Sequence, residues 1–159
     1  ASLLNSFTTT EITGFSTTQI QSLTASDIAD LTTTTLVIVN DAVSALTNAQ
    51  IIALTTAQVS TLNTTTLGAL TTAQVGALEV ADVASLTTAS MAALKTTQVG
   101  GLTATQLAGL TTTQAAALTT TLVVALTTTQ VGSLSTAGIG VLTTANLVAL
   151  TTTQVGGLK

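Results

Sequence analysis

The stretch Leu70-Thr71-Thr72-Ala73-Gln74-Val75-Gly76-Ala77 decides how the whole chain is read. Threonine followed three residues later by glutamine is the capping box of a helix start. The hydroxyl accepts from the backbone N–H three residues on, and the amide reaches back to the N–H of the cap residue. In that register Thr71 is the N-cap, Gln74 is N3, and Leu70 and Val75 stand at N′ and N4, the two ends of a hydrophobic staple. Val75 and the next leucine, Leu78, are three residues apart and share one face of a short helix. The residue after that leucine caps the next helix and turns the chain.

The unit recurs in both directions. Leucine stands at 46, 54, 62, 70 and every eighth residue to 158, and counting back the place is held by Ile38, Leu31, Leu23, Phe15 and Phe7. With that anchor as position one, position six is apolar from Ile12 to Val155. Position two is Thr, Ser or Asn in sixteen of twenty units, the exceptions being Val39, Glu79, Lys95 and Lys159, so capping belongs to the repeat and not to one copy. Position five is most often Gln. Positions seven and eight are mostly small, as in Gly100-Gly101 and Gly156-Gly157. Small residues let neighbouring segments approach closely, and glycine there can also take the left-handed conformation that ends a helix. One unit, 31–37, has seven residues and brings Leu36-Val37-Ile38-Val39 into one apolar run. A connecting turn tolerates such a loss; a kink or a lateral contact is the functional alternative.

A helix of about six residues is far below the roughly 12 to 15 that hold alone in water, so each unit depends on its neighbours. The expectation is one repeat domain over residues 1–159, about twenty units long. Its fold is an all-α solenoid of very short capped helices, one per unit. Position-one and position-six side chains, Leu70, Val75, Leu78, Leu102, Leu110 and Leu126 among them, form the inner wall, and threonines form the outer one. Thr71 with Gln74 and Thr111 with Gln114 exemplify the caps. The alternative is a β-solenoid, since Thr, Val and Ile favour strands and Gly suits corners. That fold puts positions one and six on opposite faces of a straight strand and leaves the glutamines without a role. A disordered threonine-rich stalk would lack a regular core pattern and would usually contain proline, which is absent here.

Composition narrows the function. The chain is 46% apolar, 5% charged and 1% aromatic, with 41 threonines and no Cys, His, Pro, Trp or Tyr. Ordinary chains carry about 25% charged residues. Without Cys or His there is no disulfide frame, thiol nucleophile, imidazole base or usual zinc or iron site. Two lysines and no arginine cannot neutralise a run of phosphates, and two phenylalanines make no stacking platform, so nucleic acid is not an expected partner. The net charge of −4 is too weak for steering. Mean hydropathy is +0.70. The longest apolar runs, such as Leu122-Val123-Val124-Ala125-Leu126, are nevertheless far short of the about 20 residues of a membrane span. The opening residues, Ala1-Ser2-Leu3-Leu4-Asn5-Ser6, lack the basic region of a signal peptide.

No catalytic, cofactor or metal site and no small-molecule substrate is expected. Asp27 with Asp30, and Glu79 with Asp82, are the carboxylate pairs. Asp27 and Asp82 fall at N3, where a negative group suits the positive end of a helix. No calcium loop of the D-x-D-x-D-G kind is present. Asn63-Thr64-Thr65 matches a glycosylation sequon, but Asn63 also sits at a cap position. Rows of threonine could order water as an ice-binding surface does, though positions three and four alternate Thr with Ala, as at Thr72-Ala73 and Thr88-Ala89.

The phase of the repeat bears on assembly. Ala1 falls at position three and Lys159 at position two, so one copy can continue into the next with Leu4, Leu158 and Lys159 at the junction. All six acids lie in the first 82 residues, and both lysines, Lys95 and Lys159, lie later, which weakly favours head-to-tail attraction.

Locally, Leu70-Thr71-Thr72-Ala73-Gln74-Val75 resembles the LTxxQ motif of Spy-type periplasmic chaperones, where the motif also opens helices. Those proteins are charged and long-helical, so the resemblance implies shared capping physics and no chaperone activity. Over its whole length the chain is similar to the Leu/Thr/Gln-rich tandem repeats of large secreted bacterial surface proteins of the adhesin-like kind. That resemblance implies export, surface display and a structural or adhesive role, with no catalytic residues to transfer.

The expected function is therefore structural: a secreted bacterial solenoid module that stacks on itself, as a homopolymer or among neighbouring repeats of a longer chain, into an extracellular filament or stalk. The alternative is an adhesin or ice-binding surface built on the threonine rows. Truncating a mid-array anchor, Leu102→Ala, should cost about 2 to 5 kcal/mol through the cavity it leaves. Removing a cap, Thr111→Ala, should cost about 1 kcal/mol. Urea unfolding followed by circular dichroism reads both.

Overall fold

A computed structural model of the chain describes residues 11, 14–33 and 43–158. Among them, beside a 3₁₀ turn at 43–45 and with no strand, are sixteen short α-helices. These are α1 Thr17–Gln21, α2 Ala25–Ala29, α3 Asn48–Ile52, α4 Thr56–Ser60, α5 Thr64–Ala69, α6 Thr72–Ala77, α7 Val80–Ser85 and α8 Thr88–Ala92. They continue as α9 Thr96–Gly101, α10 Ala104–Ala108, α11 Thr112–Ala116, α12 Thr120–Ala125, α13 Thr128–Val131, α14 Thr136–Gly140, α15 Thr144–Ala149 and α16 Thr152–Val155. One helix per repeat unit is what the capping pattern predicts, and the β-solenoid is set aside.

Each start is built as the sequence indicates. Thr71 has extended backbone, φ −73° and ψ 162°; its hydroxyl accepts from the Gln74 N–H at 3.2 Å, and Gln74 Oε1 accepts from the Thr71 N–H at 2.8 Å. Thr111 and Gln114 repeat the box at 3.2 and 3.1 Å. Asn63 caps α5 by accepting the Thr66 N–H at 2.9 Å. Each α6-like helix stops when its closing leucine turns extended. Leu78, at φ −59° and ψ 143°, is the C-cap of α6 and at the same time the residue before the cap of α7. One residue thus ends one helix and aims the next.

Helices three units apart lie against each other: α6, α9, α12 and α15 form one stacked column, with starts 24 residues apart. α4, α7, α10, α13 and α16 form a second column, and α5, α8, α11 and α14 a third. Three units therefore make one turn. The core runs up the middle, and Leu70, Val75, Leu78, Leu102, Leu110 and Leu126 are all buried in it. Across the seven-residue unit, helix α2 still packs on α3. The residues 34–42 that carry its apolar run lie outside the described residues.

The glycines do a different job from one of those expected of them. Among the described residues none has positive φ. Where glycine closes a helix it stays right-handed, as Gly109 does at φ −84° and ψ −2°. The left-handed stop is unnecessary because the closing leucine goes extended instead. Close approach is what several glycines serve. A Cβ on Gly76 would lie 2.7 Å from the Gly101 carbonyl oxygen, and one on Gly101 would collide with the Thr72 carbonyl and lie 2.6 Å from its methyl. Gly157 meets Thr128 in the same way seven units later, at 2.7 Å from its carbonyl oxygen and 2.6 Å from its methyl.

Adjacent glycines should therefore respond oppositely to alanine. Gly101→Ala should destabilise by about 1 to 3 kcal/mol, the range for overpacking. Gly100→Ala, which meets nothing within 4 Å, should stabilise by up to about 1 kcal/mol. Paired urea melts of the two variants read the difference.

Candidate functional site

The least expected feature of the fold is where position five goes. Gln50, Gln58, Gln74, Gln98, Gln106, Gln114, Gln130 and Gln154 are buried in the interior beside the leucines, so the inner wall consists of positions one, five and six. Each amide is used at both ends. Oε1 takes the N–H of its own cap residue, as in Thr103 N–H to Gln106 at 2.7 Å. Nε2 crosses to the turn before. Gln106 Nε2 donates to the carbonyls of Leu78 at 2.6 Å and Val75 at 3.1 Å, and Gln98 Nε2 to those of Leu70 at 2.7 Å and Leu67 at 2.8 Å. All eight glutamines make the bond to a position-one carbonyl, at 2.6 to 2.8 Å.

The need for these bonds follows from helix length. The last four carbonyls of any α-helix lack an intrahelical partner. A helix of four to six residues consists almost entirely of such ends. Buried without donors they would each carry a penalty of about 1 to 3 kcal/mol. The ladder of amides supplies the donors from the next turn, and it fixes the register of one turn on another.

The spacing of the rungs also locates the short unit. Gln74 and later glutamines reach carbonyls 28 and 31 residues back, whereas Gln50 and Gln58 reach 27 and 30 back. Bonds from Gln58 end on Leu31 and those from Gln74 begin at Val43, so the missing residue falls between them. The rungs continue on both sides of it.

Position five is not always glutamine, and each departure changes the rung. Asn146 is too short for the box and uses its amide differently. Its Nδ2 donates to the Leu118 carbonyl at 2.9 Å, and its Oδ1 accepts from the Thr120 hydroxyl one turn back at 2.9 Å. Asp82 likewise accepts from the Thr56 hydroxyl at 2.9 Å, and from the Glu79 N–H at 3.2 Å. Burial pushes the Asp82 carboxyl above the ordinary carboxylate range, against the pull of those two bonds. Asp27, half-buried in the first turn of α2, is held below that range by the Thr24 hydroxyl and N–H. Leu122 fills the place with an apolar side chain. Lys95 departs at position two: its ammonium cannot accept, and the Gln98 N–H turns to the Lys95 carbonyl at 3.0 Å.

Glu79 and Asp82 are joined by the cap bond, and Asp27 closes a box with Thr24, so both carboxylates have structural uses. Three position-three threonines of the outer rows, Thr56, Thr72 and Thr120, turn their hydroxyls toward a neighbouring turn. Among the described residues no group of three or more potential metal ligands converges, and no helix is long and apolar enough to cross a membrane. Of the proposed junction residues, Leu158 packs partly buried against the core, while Leu4 and Lys159 lie outside the described residues. The last turn has an open face: Leu147 is 41% and Val155 49% exposed, where their counterparts one turn earlier, Val123 and Val131, are 0% exposed.

Capping alone does not require a buried glutamine, which is why sequence reasoning gave position five only half its role. The signal was available at a longer period: Gln50, Gln74 and Gln98 recur 24 residues apart, as do Gln106, Gln130 and Gln154. Gln106→Leu should cost about 1 to 3 kcal/mol by stranding the Leu78 carbonyl, since the Val75 carbonyl keeps the Leu78 N–H. Gln106→Ala should cost more by adding a cavity. Urea unfolding of the two variants checks the order.

No curated protein and no solved structure matches the chain. A family profile, described as the ALTTAQ repeat, matches residues 56–88, 83–120 and 123–159. Its motif is spelled letter for letter by Ala69-Leu70-Thr71-Thr72-Ala73-Gln74, the cap and rung just described. These matches take in well over half of the sequence, and the chain belongs to the ALTTAQ repeat family.

Proposed function

We propose that the chain is a structural element, a segment of an extendable solenoid rod that adds turn upon turn and serves outside the bacterial cell as filament or stalk. The observation that carries this reading is that each turn is covered by another turn of the same repeat: Val123 and Val131 are fully buried beneath the turn that follows them. The covering that the interior uses throughout is another turn, held by glutamine rungs and apolar contact. A second copy or a neighbouring repeat offers the same chemistry.

Composition supports the extracellular part of the proposal. Two lysines and no arginine leave few sites for trypsin-like proteases, and no cysteine is present to be oxidised. The threonine-lined exterior carries little charge to keep parallel rods apart. The reading includes no catalytic step, and shape is the function.

Negative-stain electron microscopy and sedimentation of the purified chain test it. Rods that lengthen with concentration are expected. The Leu147→Lys, Val155→Lys double variant should stay monomeric while keeping its helical circular dichroism. Monodisperse single copies of the unmodified chain at high concentration would contradict the proposal.

A further inference from the structure

Among the described residues, Asp82 is the only buried side chain that carries a titratable group. It stands at position five in the second column, between Gln58 and Gln106, where a neutral amide would donate to the turn below. A carboxylate has no hydrogen to give. The same chain holds the neutral counterpart. Asn146 and Asp82 each accept a threonine hydroxyl from 26 residues back, Thr120 and Thr56, both at 2.9 Å. Asn146 then donates to the Leu118 carbonyl, 28 residues back, at 2.9 Å. Leu54 lies the same number of residues before Asp82, and it is buried as Leu118 is.

We infer that Asp82 is a proton-operated link between turns: protonated, its carboxyl donates an O–H to the Leu54 carbonyl and completes the rung that Asn146 makes to Leu118; ionised, it leaves that rung unmade. The Thr56 hydroxyl serves both forms, since Oδ1 accepts in each. The Glu79 N–H also serves both, because a protonated Oδ2 keeps a lone pair. Only the bond to Leu54 depends on the proton.

The surroundings isolate this group. The helices stacked on α7 are α4 and α10, and neither contains a titratable residue. The same holds for α6 and α8, the helices before and after it in the chain. Glu79, at the cap of α7, is the charged neighbour, and its charge together with burial favours the protonated form of Asp82. Lys95 opens α9, which stacks on α6 and α12.

The direction of the pH dependence follows from burial. A carboxyl raised in the folded state contributes stability that is fully present below its unfolded value, about 4. That stability is lost as pH rises through the folded value. Acid therefore tightens this link, whereas the Asp27 cap weakens in acid. Comparing variants at position 82 leaves the Asp27 effect common to both.

Thermal melts of the full chain and of Asp82→Asn between pH 3 and pH 7 test the inference. At neutral pH the Asn variant should melt higher, and the gap should close on acidification. A gap that does not change with pH, or an unmodified chain that melts higher at neutral pH, would overturn it. Carbon-13 NMR gives a second reading without relying on the variant. The Leu54 carbonyl resonance should titrate together with the Asp82 carboxyl, and should be flat in Asp82→Asn. A Leu54 resonance that ignores the Asp82 titration would equally overturn it.

Discussion

The structure depends on what happens to the carbonyl oxygens at the end of a helix too short to bond its own. A helix of five residues cannot pay back its nucleation, and its backbone acceptors point at the next layer of the protein. The glutamine at position five answers both problems with one planar amide: its oxygen closes the helix it belongs to, and its nitrogen closes the helix ends one turn away. Cap and stack are one interaction. Gln106 joins Thr103 on its own turn to Val75 and Leu78 on the turn before.

Magnitudes divide the work between this ladder and the apolar core. Burying a leucine or valine contributes about 1.5 to 3 kcal/mol, against about 0.5 to 1.5 kcal/mol net for a hydrogen bond. Apolar burial therefore supplies most of the cohesion. The ladder decides register, because a shift of one residue would strand buried acceptors along every turn while leaving much of the apolar contact in place. Leu122 is consistent with that division, since a rung can be given up singly to further apolar burial. Stability of this kind is a sum of nearest-neighbour terms, so it extends with length and has no natural stopping point.

Much of this was legible in eight residues. Thr71 and Gln74 announce a helix start, Leu70, Val75 and Leu78 announce its buried face, and Gly76-Ala77 announces close packing. Three things were not legible. The number of units per turn depends on how three helices close around a core, which no single unit encodes. The second role of glutamine involves a partner 28 residues away, beyond the reach of any local motif. The glycine stop was misjudged because a leucine shared between two helices must go extended to serve the second, and that already ends the first. At the level of the family, the ALTTAQ repeat describes the recurring sequence, and the amide ladder supplies its physical reason: alanine at the back of one helix, leucine in the core, threonine as cap, glutamine as rung.

Hydrogen exchange of the glutamine side-chain amides, followed by NMR, tests the ladder most directly. Gln98 and Gln106 should show strongly protected Nε2 protons, held between two buried carbonyls, while the exposed Gln19 should exchange at the rate of a free amide. If Gln98 and Gln106 exchange as fast as Gln19, no rung joins one turn to the next, and the central claim fails.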